Sequence, residues 1–536
     1  MLARIPERTM HRVRWTITIG WLLLIFSLFY DPISSILTEP TNYYSPLRSR
    51  PEVCIAVQGV CLSDSPHPLG TSIFWGMIVP AGILILLLCG HETWRRICPL
   101  SFLSQIPRAL GKQRQKKHTD RSGKTRYEVY KVPKNSWLAR NHLYLQFGLL
   151  FLGLCGRILL YNSHRLILGG FLVFTIVAAI GVGYWYGGKS WCHYFCPMGP
   201  VEKIFGEPRG LLNSTAHEDR NLKITQSMCR VVLADGTEQS ACVACKSACN
   251  DIDAERSYWE GILSPDRQFM YYAYFGLVVG YFVYYYLYAG NWDYYFSGAW
   301  ANQADPLGEL FKSGFYVWGQ TIAIPKWVSV PLTLGLFTYF GYFSGRKLEK
   351  AYKVSLIRQK NPLPSEIVRH RMFSFGTFLI FNFFFIFGGR PFINLMPTFW
   401  HFFASISFGI ISGTWLYRTW FRDPSGYRRE SLAGRLRQQL AKLGLDTASY
   451  LDGRCLEKLN ADEVYVLAKI LPDFTHEERL KAYKAVLKEF LEEGYTDSVS
   501  SLSILRQMRL ELTIADAEHL AILEELGGRP AAILGR

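Results

Sequence analysis

The chain has 536 residues, of which 49% are hydrophobic, 15% aromatic and 19% charged, with a formal net charge of +16. Charged residues fall below the share of about one quarter usual in soluble domains, and the composition excludes a disordered chain, a coiled coil and a collagen-like chain. Mean hydropathy is only +0.07 because long apolar runs alternate with strongly charged ones, so the chain is not membrane throughout. In a polytopic protein the positive balance reflects Lys/Arg-rich cytoplasmic loops rather than nucleic-acid binding. No Walker loop or Rossmann glycine motif precedes a strand–helix unit.

Runs of about 17 to 25 mostly apolar residues can cross a bilayer as helices. In chain order they cover residues 15–37, 71–90, 143–161, 167–186, 269–288, 327–343, 372–388 and 399–416, predicting eight spans. The first has a basic lead, Arg4, Arg8, Arg12 and Arg14, like a signal peptide. No small-residue cleavage site follows, and it is read as a retained helix. Lys plus Arg number 4 in the N-terminal tail, 13 in 92–140, 9 in 187–267 and 8 in 346–371. The alternate connections 38–70, 162–166, 289–326 and 389–398 hold 2, 1, 2 and 1. This asymmetry places both termini in the cytoplasm; the expected location is a plasma or thylakoid membrane. Tyr and Trp crowd the span ends, as in Tyr284, Tyr285, Tyr286, Tyr288 and Trp292, and read as an interfacial belt.

Of the twelve cysteines, Cys54 and Cys61 fall in the first outer loop. An oxidising compartment favours a disulfide between them; the alternative is a redox-active or copper-binding dithiol. Cys155, in mid-span, and Cys455, near the C-terminus, are isolated and read as packing residues. The other eight lie at or just past the cytoplasmic ends of spans two and four, where thiols stay reduced and a group of them reads as metal-binding or catalytic. Cys242-Val-Ala-Cys245-Lys-Ser-Ala-Cys249 puts three thiolates on one tight loop, and iron–sulfur clusters take four. Structural zinc prefers paired knuckles and fits a single C-x2-C with distant partners less well. Cys98-Pro99 and Cys192-His-Tyr-Phe-Cys196-Pro197 each follow an apolar span and form a weak internal repeat, so spans one–two and three–four read as duplicated hairpins. His91, His142, His193 and His370 on the cytoplasmic side, with His164 and His401 opposite, offer no compelling bis-His haem pair and read as interfacial. The basic run Lys112–His118, extending through Arg126, reads as an orienting loop near anionic headgroups, or more sharply as a docking surface for an acidic carrier.

These motifs resemble the membrane-bound 4Fe-4S proteins of the NapH, NosR and CcoG type, and residues 91–298 resemble cyanobacterial membrane 4Fe-4S proteins more closely. The matching text is Trp94-Arg-Arg-Ile-Cys-Pro-Leu, Gly188-Lys-Ser-Trp-Cys-His-Tyr-Phe-Cys-Pro-Met, Cys242-Val-Ala-Cys245 with Cys249, and Tyr294-Tyr-Phe-Ser-Gly-Ala-Trp. The resemblance implies electron conduction, service to a respiratory reductase, or copper reduction. Two departures stand out: Trp94 occupies the place of a Cys four residues before Cys98, and the ferredoxin-like loop has three cysteines instead of four. Cys229, thirteen residues upstream of Cys242, is the candidate for the missing ligand. One 4Fe-4S cluster is therefore expected on Cys229, Cys242, Cys245 and Cys249. Cys89, Cys98, Cys192 and Cys196 are the candidates for a second cluster or for redox thiols.

From about Arg418 the chain changes character, with Asp423-Pro424-Ser425-Gly426 at the break. Amphipathic stretches rich in Leu, Glu, Lys and Arg follow, in which Leu440, Leu443 and Leu445, then Val464, Leu467, Ile470 and Leu471, then Leu480, Val486, Leu487 and Leu491 recur at helical spacing. Thr475 and Glu478 predict a capping-box start to a helix over 477–493 closed by Gly494, and 516–526 reads as another closed by Gly527 and Gly528. The expectation is an all-α polytopic membrane protein: a four-span half over 1–187, an iron–sulfur insert over 188–267, a second four-span half over 268–417, and a soluble helical domain over 418–536. It would pass electrons between a soluble carrier, such as ferredoxin or flavodoxin, and a quinone or protein acceptor in or across the lipid membrane. The alternatives are a metal or quinone reductase and a cluster-based redox sensor.

Overall fold

The computed structural model describes residues 5–119, 125–212, 228–246, 249–301, 305–442, 456, 459–471, 474–492 and 499–526. Cys455, Gly494, Gly527 and Gly528 lie outside them. The chain is mostly helical and divides into two compact units.

The larger unit holds eight long helices: α1 (Glu7–Phe29), α2 (Val79–Ile97), α3 (Trp137–Gly156), α4 (Arg165–Tyr186), α5 (Pro265–Ala289), α6 (Lys326–Arg358), α7 (Ser365–Phe387) and α8 (Thr398–Trp420). Among the described residues, five helical stretches are long and apolar enough to cross a membrane: Glu7–Phe29, Gly70–Leu103, Trp137–Tyr161, Arg165–Tyr186 and Ser365–Phe387. The remaining three predicted spans are helices of sufficient length, but α5, α6 and α8 do not reach the same apolarity. In α5 the reason is tyrosine: Tyr271, Tyr272, Tyr274, Tyr281, Tyr284, Tyr285 and Tyr288 all face the protein interior and are buried. The first helix begins at Glu7 and ends at Phe29, earlier than the predicted 15–37. Arg8, Arg12 and Arg14 of its basic lead are helical, Arg4 lies outside the described residues, and Asp31 and Pro32 stop the helix.

The central pair, α5 and α6, crosses at glycines. A Cβ on Gly276 would stand 1.9 Å from the Phe337 carbonyl oxygen, and one on Gly341 would stand 2.6 Å from the Gly276 nitrogen. Small residues four apart let helix backbones touch in this way where no hydrophobic driving force exists. At the far end of α5, Tyr281 and Tyr285 share a 2.6 Å hydrogen bond, and Asn162 Nδ2 donates to the Tyr285 hydroxyl at 2.7 Å. The buried Arg157 guanidinium lies over the Trp75 and Tyr281 rings at 4.2 and 4.9 Å.

The weak repeat around the Cys-Pro pairs is a repeat of backbone geometry. Gly90 (φ 73, ψ 178) breaks α2, and Gly187 (φ 57, ψ 173) ends α4. Cys98 then follows Gly90 by eight residues, and Cys196 follows Gly187 by nine. The extra residue is absorbed in a π-helical turn, Trp191–Phe195, as a single insertion in a helix usually is. Both cysteines consequently end their helices in one conformation, φ −59 and ψ 118 for Cys98, φ −59 and ψ 121 for Cys196. The proline after each takes up the chain beyond, where a helix start tolerates its missing N–H.

Among the described residues, four two-stranded antiparallel hairpins interrupt the helical pattern, and none was expected: β1 (Cys54–Val57) with β2 (Val60–Ser63), β3 (Gln115–Thr119) with β4 (Thr125–Val129), β5 (Arg230–Val232) with β6 (Glu238–Ser240), and β7 (Ser313–Val317) with β8 (Gln320–Pro325). Cys54 and Cys61 are joined as a disulfide across the first hairpin, with their Cα atoms 5.4 Å apart. That hairpin is fastened to the end of α5, since Gln58 N donates to the Ala289 carbonyl at 3.1 Å.

The second unit comprises residues from Phe421 onward together with Glu255–Glu260. Its helices are α9 (Pro424–Lys442), α10 (Ala461–Ile470), α11 (His476–Glu492), α12 (Val499–Leu512) and α13 (Asp516–Glu525). Leu432, Leu436, Leu440, Val464, Leu467, Tyr483, Val486, Leu487, Met508 and Leu523 form one core. Thr475 caps α11 through the Glu478 N–H at 3.4 Å.

Candidate functional site

Twelve residues separate Cys229 from Cys242, and the structure folds most of them into the β5–β6 hairpin. Arg230 pairs with Ser240, so Cys229 stands opposite Ala241, whose N–H donates to the Cys229 carbonyl at 2.9 Å. A thiol distant in sequence is thereby delivered to the start of the Cys242–Cys249 loop. Within that loop Ala244 has φ +50, a left-handed conformation uncommon for alanine. The turn it makes aims its N–H at Cys242 Sγ, 3.3 Å away. Gly188 (φ +56) lies under the loop, and a Cβ there would stand 2.9 Å from Cys245 Cβ and 3.1 Å from its Sγ. Tyr194 Oη donates to the Cys245 carbonyl at 3.2 Å, and Lys246 Nζ donates to His142 Nε2 at 2.9 Å.

Cys229, Cys242, Cys245 and Cys249 together line a cavity of about 60 Å³, with Arg108, Gly188, His193 and Asp251 also in its wall. Cys229 is buried, Cys245 and Cys249 are partly buried, and Cys242 is exposed. Burial pushes the Cys245 thiol up to about 12 and Cys249 well above the ordinary thiol range. Such thiols stay neutral at physiological pH unless a bound cation holds them as thiolates.

Beside this cavity lies a buried ionic network. Asp251 is 1% exposed. Its carboxylate is 3.0 Å from His91 Nε2, 3.4 Å from Lys189 Nζ and 3.7 Å from Arg95 Nε. Burial alone would raise the Asp251 carboxyl; Lys189 and Arg95 outweigh it and hold the group well below the usual carboxylate range. Arg95 Nε also donates to Glu202 Oε2 at 2.9 Å, and Trp94 Nε1 donates to Glu202 Oε1 at 2.9 Å. The tryptophan in the place of a cysteine therefore serves this network and offers no ligand.

His193 Nε2, Cys249 Sγ and one Asp251 oxygen lie within 4.8 Å of one another, the one group of donors close enough for a single metal ion among the described residues. No three of the four cavity thiols approach that closely. A lone ion at His193, Cys249 and Asp251 would compete with Lys189 and Arg95 for the same carboxylate.

Cys98, Cys192 and Cys196 form a second group, near enough for charge on one to act on the others. Cys192 packs with Cys196, Trp191 and Ala179, and its carbonyl accepts from Gln146 Nε2 at 3.1 Å and Arg95 Nη2 at 3.4 Å. Arg95 thus touches both the Asp251 network and the second thiol group. Cys89 stands apart from that group, its backbone against Gly210 before the break at Gly90. A larger cavity, about 290 Å³, is lined by Arg209, Gly210, Leu211, Trp415, Arg418 and Thr419. It contains no thiol or imidazole, so the chemistry points to the smaller one.

His91 and His193, expected at an interface, are instead buried at Asp251, and His370 is buried against the Thr419 carbonyl at 2.8 Å. Burial of α2 and of the π-helical turn beneath the loop removes both from water. Sequence reading missed Arg95, Lys189, Glu202 and Asp251. A signal was present: Arg95 and Lys189 each stand three residues before a cysteine of the repeat, and Asp251 two after Cys249. Comparison of the chain with protein-family models, curated proteins and solved structures finds no match.

Proposed function

We propose that this chain is a membrane-spanning electron-transfer protein that binds a 4Fe-4S cluster on Cys229, Cys242, Cys245 and Cys249. The observation that carries the reading is the convergence of those four thiols, from a hairpin end and a tight loop, on one cavity. Their spacing is wider than a single ion accepts, and four thiolates around a larger group are what an iron–sulfur cluster requires. Such a cluster takes up and releases one electron at a time. The chain's own part is to fix the thiols and their electrostatics. The Ala244 N–H bonds a ligand sulfur, and Lys189 and Arg95 supply buried positive charge balanced by Asp251. Hydrogen bonds to sulfur, local charge and solvent exposure set a cluster's potential.

All eight long helices cross the membrane in this reading. Support for α6 and α8 comes from the apolar faces they expose, Leu332, Leu336, Tyr339 and Phe340 on α6, Phe402, Phe403, Ile406 and Ile410 on α8, which suit lipid better than water. The Lys/Arg-rich connections and the thiols are cytoplasmic, and electrons pass between a soluble carrier there and an acceptor in or across the membrane.

Anaerobic purification with iron and acid-labile sulfide counting tests the cluster directly. About four iron and four sulfide per chain are expected, with an EPR signal on reduction. Cys242→Ser and Cys245→Ser should each abolish it. Stoichiometric zinc without sulfide refutes the reading.

A further inference from the structure

The β3–β4 hairpin stands beside the thiol cavity and carries a concentration of positive charge. Residues 108–134 hold ten Lys and Arg against two Asp and Glu. Lys112, Arg114, Lys116 and Lys117 are exposed. Glu128, opposite Lys116 in the pairing, is the one acid among the hairpin strands. Arg114 is braced by its guanidinium lying over the Tyr130 ring at 4.4 Å.

The base of the hairpin is locked to the end of α4. Arg114 N donates to the Tyr184 carbonyl at 3.0 Å, and Gln113 Nε2 to the Gly183 carbonyl at 3.2 Å. Val129 packs so closely on Gly187 that a Cβ there would lie 2.1 Å from Val129 Cγ1. The next residue, Gly188, is the glycine beneath Cys245, and its carbonyl accepts from Gln105 Nε2 at 2.8 Å. Arg108, at the foot of the same basic segment, lines the cavity itself. The charged hairpin and the cavity's exposed thiol, Cys242, are thus held on one piece of scaffold.

We infer that the β3–β4 hairpin is the docking surface for an acidic, soluble one-electron carrier protein, which it seats over the exposed Cys242 edge of the thiol site. This rests on the reading of that site as an iron–sulfur centre. Positive charge around an electron entry point steers an acidic partner and fixes its register, with most of the benefit in association rate. An anionic lipid surface would also attract these side chains. The protein carrier is favoured because the charge is built onto a hairpin anchored at Gly187, one residue from the glycine that contacts Cys245. The step is a single electron transfer: the reduced carrier loses one electron, the thiol-bound site gains one, and no bond is made or broken.

The test uses the full-length protein, purified anaerobically in phosphatidylcholine nanodiscs, with a reduced acidic [2Fe-2S] ferredoxin as probe and dithionite as control. For the wild type the second-order rate should fall steeply with added salt. For the Lys116→Glu/Lys117→Glu variant it should fall by about tenfold or more at low salt and lose most of its salt dependence. Dithionite should reduce both proteins equally. An unchanged ferredoxin rate overturns the proposal, as does a loss that dithionite shares. If the ferredoxin rate is unchanged while the variant retains less anionic lipid on purification, the hairpin is a headgroup contact and the proposal fails. A preparation without iron and sulfide fails at the earlier step and removes the underlying reading too. A cluster reducible by dithionite but indifferent to the hairpin removes this inference alone.

Discussion

Glu207 shows how much of this protein's stability is placed in single buried charges. Its carboxylate bonds the Arg267 guanidinium and lies 3.5 Å from Lys203 Nζ, all three groups buried. Burial by itself would raise the Glu207 carboxyl, but Lys203 and Arg267 hold it down, to about 2. Burial also pulls the Lys203 ammonium down, so Arg267 is the firmer partner. The folded-state value lies below the ordinary 4.5, so the contribution is fully present above that pH and is lost as pH falls toward 2. It is of the order of 3 kcal/mol. Thermal unfolding in detergent should therefore show a falling midpoint from about pH 5 downward. Glu207→Gln should be less stable than wild type at pH 7, with a flatter acid limb. Legibility in the sequence divides by residue chemistry at this scale. Cysteine spacing singles out Cys229, Cys242, Cys245 and Cys249, which line one cavity, because few other roles than metal binding need four thiols near one another. Asp251 and Lys189 carry only a positional signal, their nearness to cysteines: a charged residue in a loop ordinarily faces water, and only the packing of α2 against the Cys249 loop takes these two out of it.

At the scale of elements, α5 was legible as a helix of spanning length but not as the centre of the bundle. Its tyrosines suggested an interfacial belt, yet most are buried among α3, α6 and α7, because their hydroxyls find partners such as Ser329 (2.8 Å from Tyr284 Oη) and Glu349 (2.6 Å from Tyr272 Oη). The hairpins were illegible for a different reason. Strands of three to six residues carry too few positions for an alternating pattern to emerge. The glycines at the α5–α6 crossing give a sharp expectation. A side chain on Gly276 meets the Phe337 backbone, which has no rotamer to yield. Gly276→Leu should destabilise the protein by about 1–3 kcal/mol or more. Gly148→Leu on α3, where a Cβ would meet nothing within 4 Å, should leave the unfolding midpoint unchanged within about 0.5 kcal/mol.

For the whole molecule the decisive measurement is topological. In the proposed eight-span arrangement, the Lys/Arg asymmetry assigns Gly298 to the outside and Lys350 to the inside. A reporter active only outside the cytoplasm should work when fused after Gly298 and fail after Lys350. Labelling of Cys242 by a membrane-impermeant thiol reagent in intact cells would reverse the orientation. The division into two units follows the composition change near Arg418, with the second unit beginning at Phe421. What composition could not supply was the inclusion of Glu255–Glu260 in that unit. There Arg422 bonds both Glu255, at 2.7 Å, and Glu430, a pairing across sequence distance that no local pattern encodes.

The exposure of Cys242 has a cost in durability. Of the four thiols in the cavity it is the most exposed, so dissolved oxygen and peroxide meet it first. A thiolate oxidised to sulfenic acid no longer holds iron as a thiolate does, and further oxidation is irreversible. If the site holds the proposed cluster, damage would therefore begin at this exposed edge and spread inward, with Cys229 protected by its burial. A partner protein covering that edge would slow the decay, so the lifetime of the site in air would depend on how often it is in use.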